Sequence, residues 1–282
     1  MKEGNRALLQ VKVGERAMKS RRVPRRLVMT SLLALLTPIV LFAPQAYAES
    51  YVAGQFGATM PSVGKGLSDG DLTSTSAPFQ NGSVSGTVNF PSGSTVSDQS
   101  LTTSFMLGGK IGHYFSKARW FGVEAEIFYS TPHIKQQNIT LRSDPPATFT
   151  PSGGGPSTVL PSELTSVGVP GAHFSVLTIA PLNLMLRYPG NRLQPYIGVG
   201  PGIFIARISD PSITQGENSQ SSTKFGLNSF IGARYYLTRH VSAFAEGKYN
   251  YVRFNFEENP NFFGFDATYS PISVAFGIGY HF

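Results

Sequence analysis

The sequence predicts an all-β fold, an eight-stranded antiparallel up-and-down transmembrane β-barrel. Three observations predict it. Apolar residues alternate with small or polar ones at a period of two, in repeated segments long enough to cross a bilayer. The connections between these segments are alternately short and long. The chain also opens with the three parts of an export leader.

The leader comes first in chain order. The formal net charge of +7 suggests a nucleic-acid binder until the charges are located. Lys2, Arg6, Lys12, Arg16, Lys19, Arg21, Arg22, Arg25 and Arg26 face only Glu3 and Glu15 in the first 26 residues, and residues 27–48 carry no charge. From Glu49 onward the chain is neutral, with 14 basic and 14 acidic side chains. The basicity therefore belongs to the leader, and a nucleic-acid partner is not expected. The apolar run Leu27 to Ala43 precedes Ala46-Tyr47-Ala48, a small-x-small site that predicts cleavage before Glu49. A permanent anchor helix is the alternative, but Pro38 and Pro44 interrupt the run. Met18 would open a leader of more ordinary length. The predicted division is a signal peptide over 1–48 and a barrel over 49–282. The chain has no cysteine, so disulfides and thiolate metal sites are excluded, and no cofactor is expected.

The closing segment shows the strand pattern most clearly. Val274, Phe276, Ile278, Tyr280 and Phe282 share one face, and Ser273, Ala275, Gly277, Gly279 and His281 share the other. The same alternation places strands at roughly 50–58, 101–115, 119–130, 173–188, 193–208, 222–237, 240–254 and 271–282, the phase of the first being open. The long connections fall at about 59–100, 131–172, 209–221 and 255–270, and the short ones at 116–118, 189–192 and 238–239. Short turns mark the periplasmic side of such barrels, so the long Ser/Thr/Gly/Pro-rich loops are expected outside the cell. A soluble lipocalin-like barrel or sandwich would need an apolar interior. Here the inner face reads as glycine plus charge, which argues against a dry core. Aromatic residues fall into two bands, expected to be interface girdles. One holds Tyr51, Phe115, Phe121, Tyr188, Tyr235, Tyr280 and Phe282, and the other Phe105, Tyr129, Phe174, Phe225 and Tyr251.

The inner face collects Lys110, Glu124, Glu126, Arg187, Arg234, Glu246 and Lys248, with Arg207, His281, Asn183 and Tyr196 as possible extensions. Eight strands enclose a space that side chains fill, and a lone charge there is costly, so these residues are expected to pair into a plug. An ion path gated through those pairs is the alternative. Gly198-x-Gly200-x-Gly202 lies on one strand and opens no helix, so it is not a nucleotide loop.

Several segments together resemble the outer-membrane β-barrel domain of OmpA-type, OmpX-type and opacity-type surface proteins. They are Tyr196-Ile197-Gly198-Val199-Gly200-Pro201-Gly202, Gly232-Ala233-Arg234-Tyr235-Tyr236, Ala245-Glu246-Gly247-Lys248-Tyr249 and Gly279-Tyr280-His281-Phe282. The resemblance implies residence in a Gram-negative-type outer membrane, in contact with its lipid and lipopolysaccharide. It also implies insertion by the outer-membrane assembly machinery, which would read Val274, Phe276, Ile278, Tyr280 and the terminal Phe282. The peptidoglycan-binding domain of full OmpA-type proteins has no counterpart after Phe282, so wall anchoring is not expected. The expected role is a non-enzymatic membrane anchor displaying surface loops for adhesion or for an extracellular ligand. The alternative is a narrow pore or an OmpW-like channel for small molecules. A third, a lipid-modifying enzyme of the His/Ser type, is disfavoured. The strand phase turns His173 and Ser175 inward, and His240, next to Ser242, lies at the periplasmic rim.

Overall fold

The computed structural model describes residues 49–61, 66–73, 76–81, 84–169, 171–209, 218–258 and 264–282. The proposed leader, Met18 and the cleavage site lie outside the described residues, as do parts of the long loops.

Eight strands form the barrel wall. They are β1 (Glu49–Met60), β2 (Ser104–Phe115), β3 (Ala118–Ser130), β4 (Ala172–Arg187), β5 (Leu193–Ser209), β6 (Ser219–Tyr236), β7 (Val241–Phe256) and β8 (Ile272–His281). Each pairs antiparallel with its sequence neighbour. The ring closes where β8 pairs with β1, from Tyr51↔His281 to Met60↔Ile272. Closure leaves no open barrel edge, which a bilayer requires because lipid offers the backbone no hydrogen bonds. In the tight turn between β6 and β7, the Leu237 and Thr238 amides donate to the Val241 carbonyl, and the Thr238 hydroxyl accepts from the His240 and Val241 amides.

Side chains alternate across the wall as lipid on one side and a filled lumen on the other demand. Phe276, Ile278 and Tyr280 on β8 are 49%, 63% and 52% exposed, while Gly277 and Gly279 between them are buried. Paired residues on neighbouring strands fit together on the inner face where one of them lacks a side chain. A Cβ on Gly198 would meet the Phe230 ring at 2.3 Å, and one on Gly112 would meet the Tyr51 ring at 2.4 Å.

Four expectations need correction. First, β4 changes phase. Its pairing shifts between Ala180 and Asn183 against β3, and between Ile179 and Leu184 against β5. Pro181 sits at the shift, has no amide to donate, and marks a bulge. Asn183, Met185 and Arg187 point inward below it, but above it Phe174, Val176 and Thr178 do. His173 and Ser175 therefore face outward. Second, Tyr51 and Phe174 are fully buried in the lumen and belong to no girdle. Phe105, Tyr129, Phe225 and Tyr251 are exposed in the band toward the long connections, and Tyr188, Tyr235, Tyr280 and Phe282 in the band toward the short turns. Third, Arg207 is exposed on the outer face and does not extend the inner network.

Fourth, the upper lumen is apolar. Phe174, Val176, Phe204, Ala206, Ile208, Val252, Phe254 and Phe256 from the wall pack with Leu67, Leu101, Ile134, Ala267 and Tyr269 from the long connections. Gly202 and Gly226 leave room for the Phe204 ring there. The connections are themselves pleated. Glu163–Val169, Gln137–Arg142, Thr95–Val96, Leu67–Leu72 and Phe265–Tyr269 pair in that order and join the upper end of β7. A second small sheet holds Thr158–Val159, Thr148–Pro151, Val84–Asn89 and Ser76–Asn81. The outer part of the barrel thus has a dry core with a β-structured cover.

Candidate functional site

Below the apolar layer the lumen holds a salt-bridge plug. Lys110 rises from β2, Glu124 and Glu126 from β3, and Glu246 and Lys248 from β7, each on an inward position of its strand. Lys110 Nζ lies 2.7 Å from Glu246 Oε1, 3.0 Å from Glu124 Oε1 and 3.7 Å from Glu126 Oε2. Lys248 Nζ lies 2.6 Å from Glu126 Oε2 and 3.0 Å from Glu246 Oε2. All five side chains are wholly buried. Neutral donors complete the carboxylates. The Tyr196 hydroxyl donates to Glu246 at 2.5 Å, Gln55 Nε2 to Glu126 at 3.1 Å and Asn228 Nδ2 to Glu126 at 2.6 Å. The Tyr51 hydroxyl donates to Glu124. The Phe230 ring faces both ammonium groups at 4.8 Å, a cation–π contact that takes the place of a water shell.

Three carboxylates against two ammonium groups leave one negative charge, and Arg234 offsets it. Its guanidinium is buried over the Tyr51 ring at 4.0 Å and has no hydrogen-bond partner of sound geometry among the described residues. The Tyr196 and Tyr114 rings lie 5.5 and 5.9 Å away. Arg234 thus acts through rings and through-space charge, with Tyr51 standing between it and Glu124.

A second layer closes the short-turn end of the barrel. Arg187 Nη1 lies 2.6 Å from Glu49 Oε2 and donates to Gln194 Oε1 at 2.8 Å. Its guanidinium stacks 3.5 Å from the Tyr114 ring. Glu49 Oε1 lies 2.8 Å from His281 Nδ1 and accepts from the Tyr236 hydroxyl. His281 Nε2 is 2.8 Å from the Ser242 hydroxyl oxygen. The order Ser242–His281–Glu49 has the connectivity of a serine nucleophile, its base and an orienting carboxylate. Ser242 is however completely buried, with Gly279 and His281 against it, so no acyl group can reach it. These contacts tie β1, β4, β6, β7 and β8 together at the rim.

The structure brings all seven charged residues singled out from the sequence into the lumen, in two groups: Arg187 belongs to the rim and the other six to the plug or its counter-charge. Asn183 joins the plug by accepting from Asn228 at 3.0 Å, and His281 joins the rim. Sequence reasoning missed Glu49, Gln55, Tyr51, Tyr114 and Asn228. For the first four the available signal was the inward phase of β1 and β2. Among the described residues no cluster of His, Asp and Glu is placed to hold a metal ion. Val274, Phe276, Ile278, Tyr280 and Phe282, expected from the sequence to form an assembly signal, all point outward along β8 and its end.

A closed eight-stranded barrel with a lipid-type outer face and a neutralised charged lumen defines a class, the small integral outer-membrane barrels. The chain belongs to the outer membrane protein beta-barrel domain family, whose model matches residues 32–282. No curated protein matches the sequence. Among solved structures it is similar to the outer membrane protein OprG of Pseudomonas aeruginosa, at 17% identity over 83% of this chain and 96% of that one, with a TM-score of 0.49. Neisserial surface protein A is 12% identical over 84% of this chain and 100% of that one, with a TM-score of 0.42. The outer membrane protease OmpT of Escherichia coli is 13% identical over 86% and 99%, with a TM-score of 0.35. Likeness at this level is one of fold.

Proposed function

We propose that this protein is a non-enzymatic anchor in the outer membrane that displays its β-structured extracellular cover for adhesion or for binding an extracellular partner. One observation carries the reading: the lumen is filled at three successive heights, by the Glu49–Arg187–His281 rim, the Lys110/Lys248 plug and the Phe174/Phe204/Phe254 layer. A solute would have to part several ion pairs and an aromatic core in one passage. The buried Ser242 speaks equally against hydrolysis. Planar-bilayer recording from the purified monomer tests the reading against transport. A second test replaces residues 67–96 by a short turn. The barrel is expected to fold still, and binding to cells or matrix to be lost. Retained binding would move the interaction off the cover.

Export by a signal peptide belongs to the same proposal. Processing is expected between Ala48 and Glu49, and N-terminal sequencing of protein from the outer-membrane fraction checks it. Glu49 as first residue is the expected result, and its carboxylate would then knit the new terminus into the rim. A retained Leu27–Ala43 segment would end the model of a barrel without a helical anchor.

A further inference from the structure

The outward face of the barrel carries a polar cluster that neither the plug nor the cover uses. On β5 seven consecutive outward positions are apolar, Leu193, Pro195, Ile197, Val199, Pro201, Ile203 and Ile205, and the next outward residue is Arg207. At about 3.3 Å per residue that apolar run spans roughly 40 Å along the strand. A tilt of about 35–45° brings this to roughly 30 Å of height, close to the lipid-facing band of such barrels. Arg207 therefore sits where the acyl chains of the outer leaflet end and their headgroups begin. The neighbouring strands cross from apolar to polar at the same register. Leu177 on β4 gives way to Ser175 and His173, and Tyr129 on β3 leads up to His133.

Pairing sets these residues side by side. Ser175 is opposite Arg207, which is opposite Ser221. His173 is opposite His133 on one side and Ser209 on the other. The two imidazole rings meet edge to face, with centroids 4.6 Å apart. His133, His173 and Arg207 are all exposed. Among the described residues Arg207 makes no ion pair, and its bond is to a neutral acceptor, the Ser219 hydroxyl at 3.1 Å. The outward cation on β7 differs. Arg253 is bound to Asp71 at 2.5 Å and lies 3.8 Å from Asp266.

We propose that His133, His173, Ser175 and Arg207 form a binding site for a phosphate group on the headgroup of an outer-leaflet glycolipid. Arg207 supplies the planar fork that matches two phosphate oxygens. The imidazole N–H groups and the Ser175 hydroxyl supply further donors. The apolar band directly below, with Leu177, Ile205 and Tyr129, receives the acyl chains of the same molecule. Position selects the lipid as ligand, because a free anion would have no use for that apolar shelf.

The test is retention of lipopolysaccharide through detergent extraction of vesicle-reconstituted protein, measured by native mass spectrometry. Wild type is expected to keep the phosphorylated glycolipid about tenfold better than R207Q/H173Q, the change expected for one charge-assisted contact. The R253Q variant, which disturbs an already paired arginine, should match wild type. R207K should fall between, since it keeps charge and loses the fork. Enzymatically dephosphorylated lipopolysaccharide should bind wild type as weakly as the double variant binds the intact lipid. Competition by inorganic phosphate in the millimolar range would instead assign the site to a soluble anion and overturn the lipid. Equal retention by wild type and R207Q/H173Q, or equal loss in R253Q, would overturn the site itself. The outward position leaves the plug untouched, and thermal unfolding of each variant verifies that the barrel is intact.

Discussion

Replacing Glu246 by alanine is expected to destabilise the barrel by about 3–5 kcal/mol, the cost of breaking a buried ion pair on one side only. Glu246 is the carboxylate that joins both lysines, at 2.7 Å from Lys110 and 3.0 Å from Lys248. Its removal turns a balanced set of three carboxylates, two ammonium groups and the Arg234 guanidinium into a set with one excess positive charge. It also strands the Tyr196 hydroxyl, whose bond to Glu246 is 2.5 Å. The Glu246→Gln change keeps the shape and an acceptor, and should lose less. Arg234→Ala acts in the opposite sense and leaves one excess negative charge beside Glu124. Urea unfolding in lipid vesicles measures all three. Values near zero for both alanine variants would mean that water reaches the plug and screens it, and the filled-lumen account would fail.

Deleting Phe282 is expected to lower the amount of protein in the outer membrane severalfold while changing the folded barrel little. In the folded state Phe282 contributes two backbone hydrogen bonds to Ser50 and one lipid-facing ring. Two such bonds are worth about 1–3 kcal/mol together. Its larger expected role is as the last member of the outward series Val274, Phe276, Ile278 and Tyr280, on the strand that closes the ring with β1. Membrane fractionation compares the levels, and refolding into detergent separates assembly from stability. Normal outer-membrane levels would contradict the assembly-signal role. Equal losses in both assays would make Phe282 a structural residue only.

The wall of the barrel was legible because lipid and lumen impose opposite demands on successive residues. A period of two then survives even where glycine replaces a larger inward chain, as at Gly277 and Gly279 on β8. What the pattern hid has physical causes. Pro181 inserts a bulge in β4, and one extra residue reverses every side chain above it. Extending the lower phase upward turned His173 and Ser175 the wrong way and placed Phe174 among the lipid-facing aromatics. The proline was itself the available warning. The apolar upper lumen was missed because five of its thirteen buried residues, Leu67, Leu101, Ile134, Ala267 and Tyr269, come from connections that carry no long alternating run. Their pairing is non-local: Thr95 opposes Arg142, and Leu67 opposes Tyr269. Such contacts leave no mark in local sequence. The inward charges were readable from strand phase. Their division into plug and rim was not, since it depends on the stagger of strands around the ring, as does the meeting of Ser242 with His281 and Glu49.

The central claim is that the lumen is closed along its length, and single-molecule conductance of the purified mature monomer in planar bilayers tests it most directly. Eight strands leave a space that side chains occupy, and here rim, plug and aromatic layer occupy it in turn. The predicted result is a baseline without steady open-channel steps, in wild type and in the variant lacking residues 67–96 alike, because the plug and rim do not depend on the cover. Steady, porin-like currents from protein verified as monomeric would contradict the account and make transport the function of this barrel.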